Sequence, residues 1–159
     1  MPSSTFILNK IQEILHFGSS HGILTLFTRH LNSYAQPNMM NLWWRDLLEE
    51  DNPYSTINAT LNADKFQIIT KNTYSAFRNT NLTQILEENN ISQLLISGVM
   101  THLCCETTAR DAFLHDYEVF FLMDATATYT EDLHLGSLRA IHHGFGEVCT
   151  VNEVLNKEI

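Results

Sequence analysis

Apolar and polar positions along this chain change period several times, and each change marks a new element. Residues 4–19 place Phe6, Ile7, Ile11, Ile14 and Leu15 at helical spacing, with serines ahead and Gly18 behind, which predicts a helix packed on a sheet. Gly22 then leads into the apolar run 23–28, a buried strand that ends in Arg29 and His30. A second strand is expected over 66–70, with Lys71 at its carboxyl end, followed by a helix over 81–90 carrying Leu82, Ile85 and Leu86. The short apolar run 94–99 reads as a buried strand that turns sharply into an amphipathic helix. After it come a strand over 118–123, a loop opened by Asp124, a helix over 131–143 and a last strand over 147–151. Residues 94–123 thus form a right-handed βαβ crossover. The fold class is α/β: a doubly wound, mostly parallel sheet with helices on both faces, expected as one domain over 1–159.

Between the first two strands, residues 31–63 are polar and irregular apart from an apolar patch at Met39, Met40, Leu42, Trp43, Trp44, Leu47 and Leu48, which suggests one short helix. A connection this long is usually functional or mobile. Trp43 and Trp44 are candidates for a pocket wall or a subunit contact, with packing beneath the loop as the alternative.

Composition narrows the function classes. The 159 residues are 44% hydrophobic, enough for a full core, yet hold no apolar run long enough for a membrane span and no signal peptide at the start. A formal charge of −9 excludes the basic footprint that nucleic acid or an anionic membrane requires. Three cysteines, two of them adjacent, suit a reducing, cytoplasmic compartment rather than a disulfide framework. The expected partners are a small-molecule substrate and further copies of the chain.

Candidate chemistry concentrates at one turn. Past residue 99, Cys105, Thr108, Ala109, Ala112 and Phe113 share one core-facing stripe, and Glu106 pairs with Arg110 at i,i+4. Cys104 points elsewhere, beside the expected helix N-terminus, where backbone N–H groups and the helix dipole favour thiolate. His30, Lys71 and Cys104 all fall at carboxyl ends of expected strands, the rim where doubly wound sheets bind ligands. A lysine beside the cysteine favours thiolate and can steady a developing oxyanion. Asp124 reads as structural, Cys149 as a small buried side chain, and the adjacent His142 and His143 diverge on their helix without metal-ligand spacing.

These residues resemble the isochorismatase-like cysteine hydrolases, a family that includes nicotinamidases, N-carbamoylsarcosine amidases and isochorismatases. Gly98, Val99, Thr101 and Cys104, followed by TARDA at 108–112, match the nucleophile motif, and Lys71, Tyr74, Ser75, Ala76 and Phe77 match the K-x-x-Y-S-A-F signature. The resemblance implies Cys104 as nucleophile, Lys71 as catalytic lysine, a cis Val99–Met100 peptide, and an oxyanion hole from the amides of Met100 and Cys104. It also implies a substrate pocket drawing on Tyr74, Phe77, His30, Thr101 and His102. His30 stands where nicotinamidases begin a D-x-H metal site; with that pattern absent, no metal and no cofactor is expected.

The resemblance lacks one part, the first strand with its catalytic aspartate. A helix feeding a parallel strand normally returns from an earlier one, and residues 1–5 are too short and hold no acid; a strand and loop of about 20 residues would supply it. Three functions follow. The first is hydrolysis of a small amide or related C–N bond through an acyl-enzyme, impaired without the aspartate. The second is vinyl-ether hydrolysis as in isochorismatases, which place glycine where this chain has Cys104. The third is a non-catalytic copy with a binding or assembly role. Adjacent cysteines do not match redox C-x-x-C geometry.

Overall fold

A computed structural model describes residues 4–35, 37–44 and 46–156. Its first helix, α1, spans Ser4–Ser20 and buries Ile7 and Ile11, one turn apart. Phe6, expected on the same side, is 83% exposed, because it lies about 100° around the helix from Ile7, on the terminal turn. The apolar run after Gly22 becomes strand only from Leu26: β1 is Leu26–His30. Ile23 and Leu24 are exposed, since the α1 exit turn binds the Ile23 N–H to the Gly18 carbonyl, and pairing begins only at Leu26↔Gln67.

The long connection holds one helical turn, α2 (Met39–Trp43), started by a capping box in which Asn38 and Asn41 exchange side-chain and backbone hydrogen bonds. Then follow β2 (Gln67–Lys71), α3 (Leu82–Glu88) and β3 (Gln93–Val99). After β3 a π-helical turn, Thr101–Cys105, leads into α4 (Glu106–Leu114). β4 runs over Glu118–Ala127, so the expected loop after residue 123 is strand, paired as Gly98↔Thr126 and Val99↔Ala127 beyond a register shift in β3. α5 (Glu131–Gly144) is capped by the Thr130 hydroxyl, and β5 (Glu147–Cys149) ends two residues early. A helix, α6 (Val151–Asn156), takes over there: the Glu153 carboxylate accepts from the Thr150 N–H (2.6 Å) and Thr150 Oγ1 accepts from the Glu153 N–H (3.3 Å). The Thr150 N–H and then the Thr150 hydroxyl (2.8 Å), both donating to its carboxylate, hold Glu153 below its ordinary pKa.

All strand pairs are parallel, but the sheet is divided in two. One sheet is β1–β2 and the other β3–β4–β5, where the sequence suggested one continuous sheet. Common helix layers bracket both. On one face Ile69 of β2, Val119 and Phe121 of β4, and helices α3, α4 and α5 build one core, with Leu26, Leu94 and Ile96 against it. On the other face Ile7 and Ile11 of α1 join Leu122, Cys149 and Val154, and Phe27 of β1 packs there. Side-chain alternation along each strand places Leu26 and Phe27 in opposite layers. Phe113, expected in the core stripe, is 48% exposed and packs edge-on against Phe145 instead.

Candidate active site

At the carboxyl end of β3 the chain turns through Gly98 (φ +114), a conformation that L side chains rarely adopt, and the Val99–Met100 peptide is cis. The Met100 carbonyl then accepts from the N–H groups of Leu103 (3.1 Å) and Cys105 (3.2 Å), closing the π-helical turn. This wider turn postpones the α-helix to Glu106, so Cys104 sits inside it rather than at the α4 N-terminus as expected. Cys104 is half-buried and Cys105 buried. Burial, reinforced by Cys104 next to it, pushes the Cys105 thiol well above its ordinary range, and burial raises Cys149 to about 11.

Lys71 ends β2 with its side chain 4% exposed. Its Nζ donates to the carbonyls of Thr73 (2.8 Å) and Tyr74 (2.9 Å) and to Cys104 Sγ (3.1 Å), which uses all three ammonium protons. The following turn is fastened to the nucleophile helix, because Thr108 Oγ1 on α4 accepts from the Ala76 N–H (3.1 Å). It is fastened to the long connection as well: Trp44 Nε1 donates to Tyr74 Oη (2.7 Å), and Asn38 Nδ2 to the Asn72 carbonyl (3.1 Å). Trp44 therefore borders the site, whereas Trp43 is 74% exposed.

His30 is registered opposite Lys71 in the β1–β2 pair, so the two side chains share a face of the sheet. Asn32 Nδ2 donates to the Asn72 carbonyl (3.5 Å), which turns Oδ1 toward His30 Nε2 (2.9 Å). That bond places the ring proton on Nε2, and Nδ1 is buried without a hydrogen-bond partner. Burial first, then the Lys71 charge, holds His30 below its ordinary pKa, against smaller opposing effects of Asn32 and the Thr73 backbone.

Other expected site residues have partners of their own. Thr101 is fully buried, its hydroxyl hydrogen-bonded with His134 Nδ1 (3.0 Å), and burial lowers the pKa of His134. His102 Nδ1 pairs with Thr128 Oγ1 (2.7 Å). Phe77, a candidate pocket wall with core packing as the competing reading, lies in the core, stacked on His115 at 5.0 Å and near Tyr117, and its N–H donates to Ser75 Oγ (3.1 Å). Glu106 and Asp124 are also engaged. Glu106 accepts from Arg110 and from the Ser137 hydroxyl, and Asp124 Oδ1 accepts from the Val151 N–H (2.9 Å). A cleft of about 510 Å³ opens beside Lys71, with Asn32, Asn72, Glu49 and Glu50 among its walls; Cys104 is not one of them.

A thiol held by a buried ammonium at the carboxyl rim of parallel strands, between helix layers, defines an α/β protein of the cysteine–lysine type. The isochorismatase domain matches residues 1–153, and the chain belongs to the isochorismatase-like cysteine hydrolase family. It is 36% identical over 144 residues to Nicotinamidase 3 of Arabidopsis thaliana, covering 87% of this chain and 73% of that protein. Enterobactin synthase component B of Escherichia coli (strain K12) is 41% identical over 88 residues, 55% of this chain but only 31% of that protein. In structure it is similar to a cysteine hydrolase from Pseudomonas syringae pv. phaseolicola 1448A, with a TM-score of 0.87 at 27% identity over 97% of this chain and 80% of that one.

The sequence reading missed Trp44 as a site residue distinct from Trp43, and it missed Asn32, Asn38 and Thr108. Thr108 carried a signal, its place in the TARDA motif, but was assigned to the core stripe. The two asparagines carried none, because their shared partner is the Asn72 backbone carbonyl, 40 and 34 positions away.

Proposed function

We propose that this chain is a cysteine hydrolase acting on a small amide or related C–N bond through an acyl-enzyme. The observation that carries this reading is the 3.1 Å contact between Lys71 Nζ and Cys104 Sγ at the carboxyl ends of β2 and β3. Cys104 attacks the substrate carbonyl as thiolate, a C–S bond forms, and the carbonyl π electrons move onto oxygen. The amides of Met100 and Cys104 receive that oxyanion, and Lys71 remains protonated beside the sulfur. Collapse expels the amine, and water then cleaves the thioester. Similarity to a nicotinamidase supports the amide class.

Among the described residues no carboxylate bonds to Cys104 or Lys71. Both the departing amine and the attacking water need a proton relay, and a missing one costs roughly 10²–10⁴-fold. Acylation by a substrate whose leaving group needs no proton is therefore fast relative to amide turnover. The test is p-nitrophenyl acetate: a burst of nitrophenolate stoichiometric with chain, followed by slow release, and no burst from Cys104→Ala. A burst that survives Cys104→Ala refutes the proposal.

A further inference from the structure

Helix α5 packs on the π-helical turn and is bonded to it at two places. The turn, Thr101–Cys105, is closed by backbone bonds: the Thr101 carbonyl accepts from the Glu106 N–H, and the Met100 carbonyl from those of Leu103 and Cys105. Single π-helical turns are rare and widen the helix by one residue, so their shape depends on what surrounds them. Here Thr101 and Glu106, joined by that backbone bond, each carry a side-chain bond to α5. The hydroxyl of Thr101, a fully buried residue, is hydrogen-bonded with His134 Nδ1 (3.0 Å). Glu106 Oε2 accepts from the hydroxyl of buried Ser137, and Arg110 occupies Oε1, so each carboxylate oxygen has its own partner. His134 and Ser137 stand three residues apart, on one face of α5. The start of that helix is fixed in turn, because Thr130 accepts from the Leu133 N–H through its hydroxyl (3.3 Å) and from the His134 N–H through its carbonyl (3.1 Å).

We propose that α5 is a splint for the oxyanion turn, and that His134 and Ser137 are positioning residues for acylation rather than for the thiol itself. This deepens the proposed hydrolysis and rests on its assignment of the oxyanion donors to the Met100 and Cys104 amides. Met100 immediately precedes Thr101, and Cys104 lies between Thr101 and Glu106, so both amides sit on the stretch of chain that the two α5 bonds hold. An oxyanion hole works only while its donors stay in place, and a displacement of about 1 Å costs on the order of 10²-fold in rate. The thiol is set by different residues: Lys71 reaches Cys104 Sγ from β2, and its other two protons go to the carbonyls of Thr73 and Tyr74. Thiolate formation and oxyanion stabilisation are therefore held by separate elements, β2 and α5, and can be lost separately. The bond between His102 Nδ1 and Thr128 Oγ1 (2.7 Å) ties the turn to the chain after β4 and supports it when either α5 bond is cut.

The test compares two reactions of the same sulfur in His134→Leu and Ser137→Ala. Attack on p-nitrophenyl acetate passes through an oxyanion, whereas iodoacetamide is alkylated by displacement of iodide at a saturated carbon and forms none. In stopped flow the rate constant of the nitrophenolate burst should fall about tenfold or more in His134→Leu and several-fold in Ser137→Ala. Alkylation of Cys104 by iodoacetamide should stay within about twofold of the native rate in both, since Lys71 is untouched. Hydrogen exchange should quicken over residues 100–106 in both variants and stay unchanged over 93–99. Equal falls in the two rates, an unchanged burst rate constant, or unchanged exchange over 100–106 overturns the proposal. Should His134→Leu not fold, Ser137→Ala decides by the same criteria. A native chain that gives no burst refutes the proposed hydrolysis instead, and the exchange measurement still decides whether α5 splints the turn.

Discussion

Asp124 reads as structural in the sequence, and in the structure it caps a helix. It lies on β4, and its Oδ1 accepts from the N–H of Val151, a fully buried residue in the first turn of α6. That N–H has no partner within its own helix, so Asp124→Ala leaves a buried donor unsatisfied. Loss of such a cap costs about 1–2 kcal/mol. For a chain of this length each kcal/mol moves Tm by roughly 2–4 °C, so Tm should fall by about 2–8 °C. Asp124→Asn keeps an acceptor oxygen in place and should recover most of the loss. Circular dichroism melts of the three proteins give the stability arm, and the amplitude of the nitrophenolate burst gives the chemical arm. The expected result is a lowered Tm with an unchanged burst in Asp124→Ala. A lost burst at unchanged Tm would refute the structural role and place Asp124 in the reaction.

Lys71→Met removes the donor shared by Cys104 and two carbonyls; alkylation of Cys104 by iodoacetamide should slow about tenfold or more, with a stability loss of about 1–3 kcal/mol, and an unchanged rate would make Lys71 a bystander. Trp44→Phe deletes the 2.7 Å bond to Tyr74 and should cost about 0.5–1.5 kcal/mol in urea melts; no change would mean that α2 is not fastened through it. For His30 the folded pKa lies below the ordinary value of 6.5, so below about pH 6.5 the unfolded chain binds more protons than the folded one. Stability therefore falls on acidification through that window, and His134 acts in the same direction. His30→Gln should flatten the slope of stability against pH between about 5 and 7, and the same slope in both proteins would contradict the assignment.

Much of this was legible in the residues because it rests on local pattern. The run LLISGV with its terminal glycine marks β3 and its turn, and the Cys104 and Lys71 motifs mark two strand ends that the fold brings into contact. What escaped depended on long-range or cooperative terms. The π-helical turn differs from an α-helical start by one hydrogen-bond step, which no hydrophobic period records. Phe113 satisfied the helical stripe yet lies at the C-terminal end of α4, where its ring meets Phe145 edge-on and stays half exposed. The sequence TVNE at 150–153 carries a readable signal, a capping box, which competes with the apolar run before it and ends β5 at Cys149. The division of the sheet could not be read from periodicity at all, since each strand looks buried by itself.

The central claim is that Cys104 is the reactive thiol, and cysteine labelling tests it most directly. Cys104 is half-buried against Lys71, whereas Cys105 is 5% and Cys149 2% exposed, each with its thiol pKa raised by burial. Native chain is treated with substoichiometric iodoacetamide at neutral pH, quenched, digested, and the alkylated cysteines are quantified by mass spectrometry. Modification at Cys104 well ahead of the other two is the expected result. Faster modification of Cys105 or Cys149 would contradict the nucleophile assignment and the chemistry built on it.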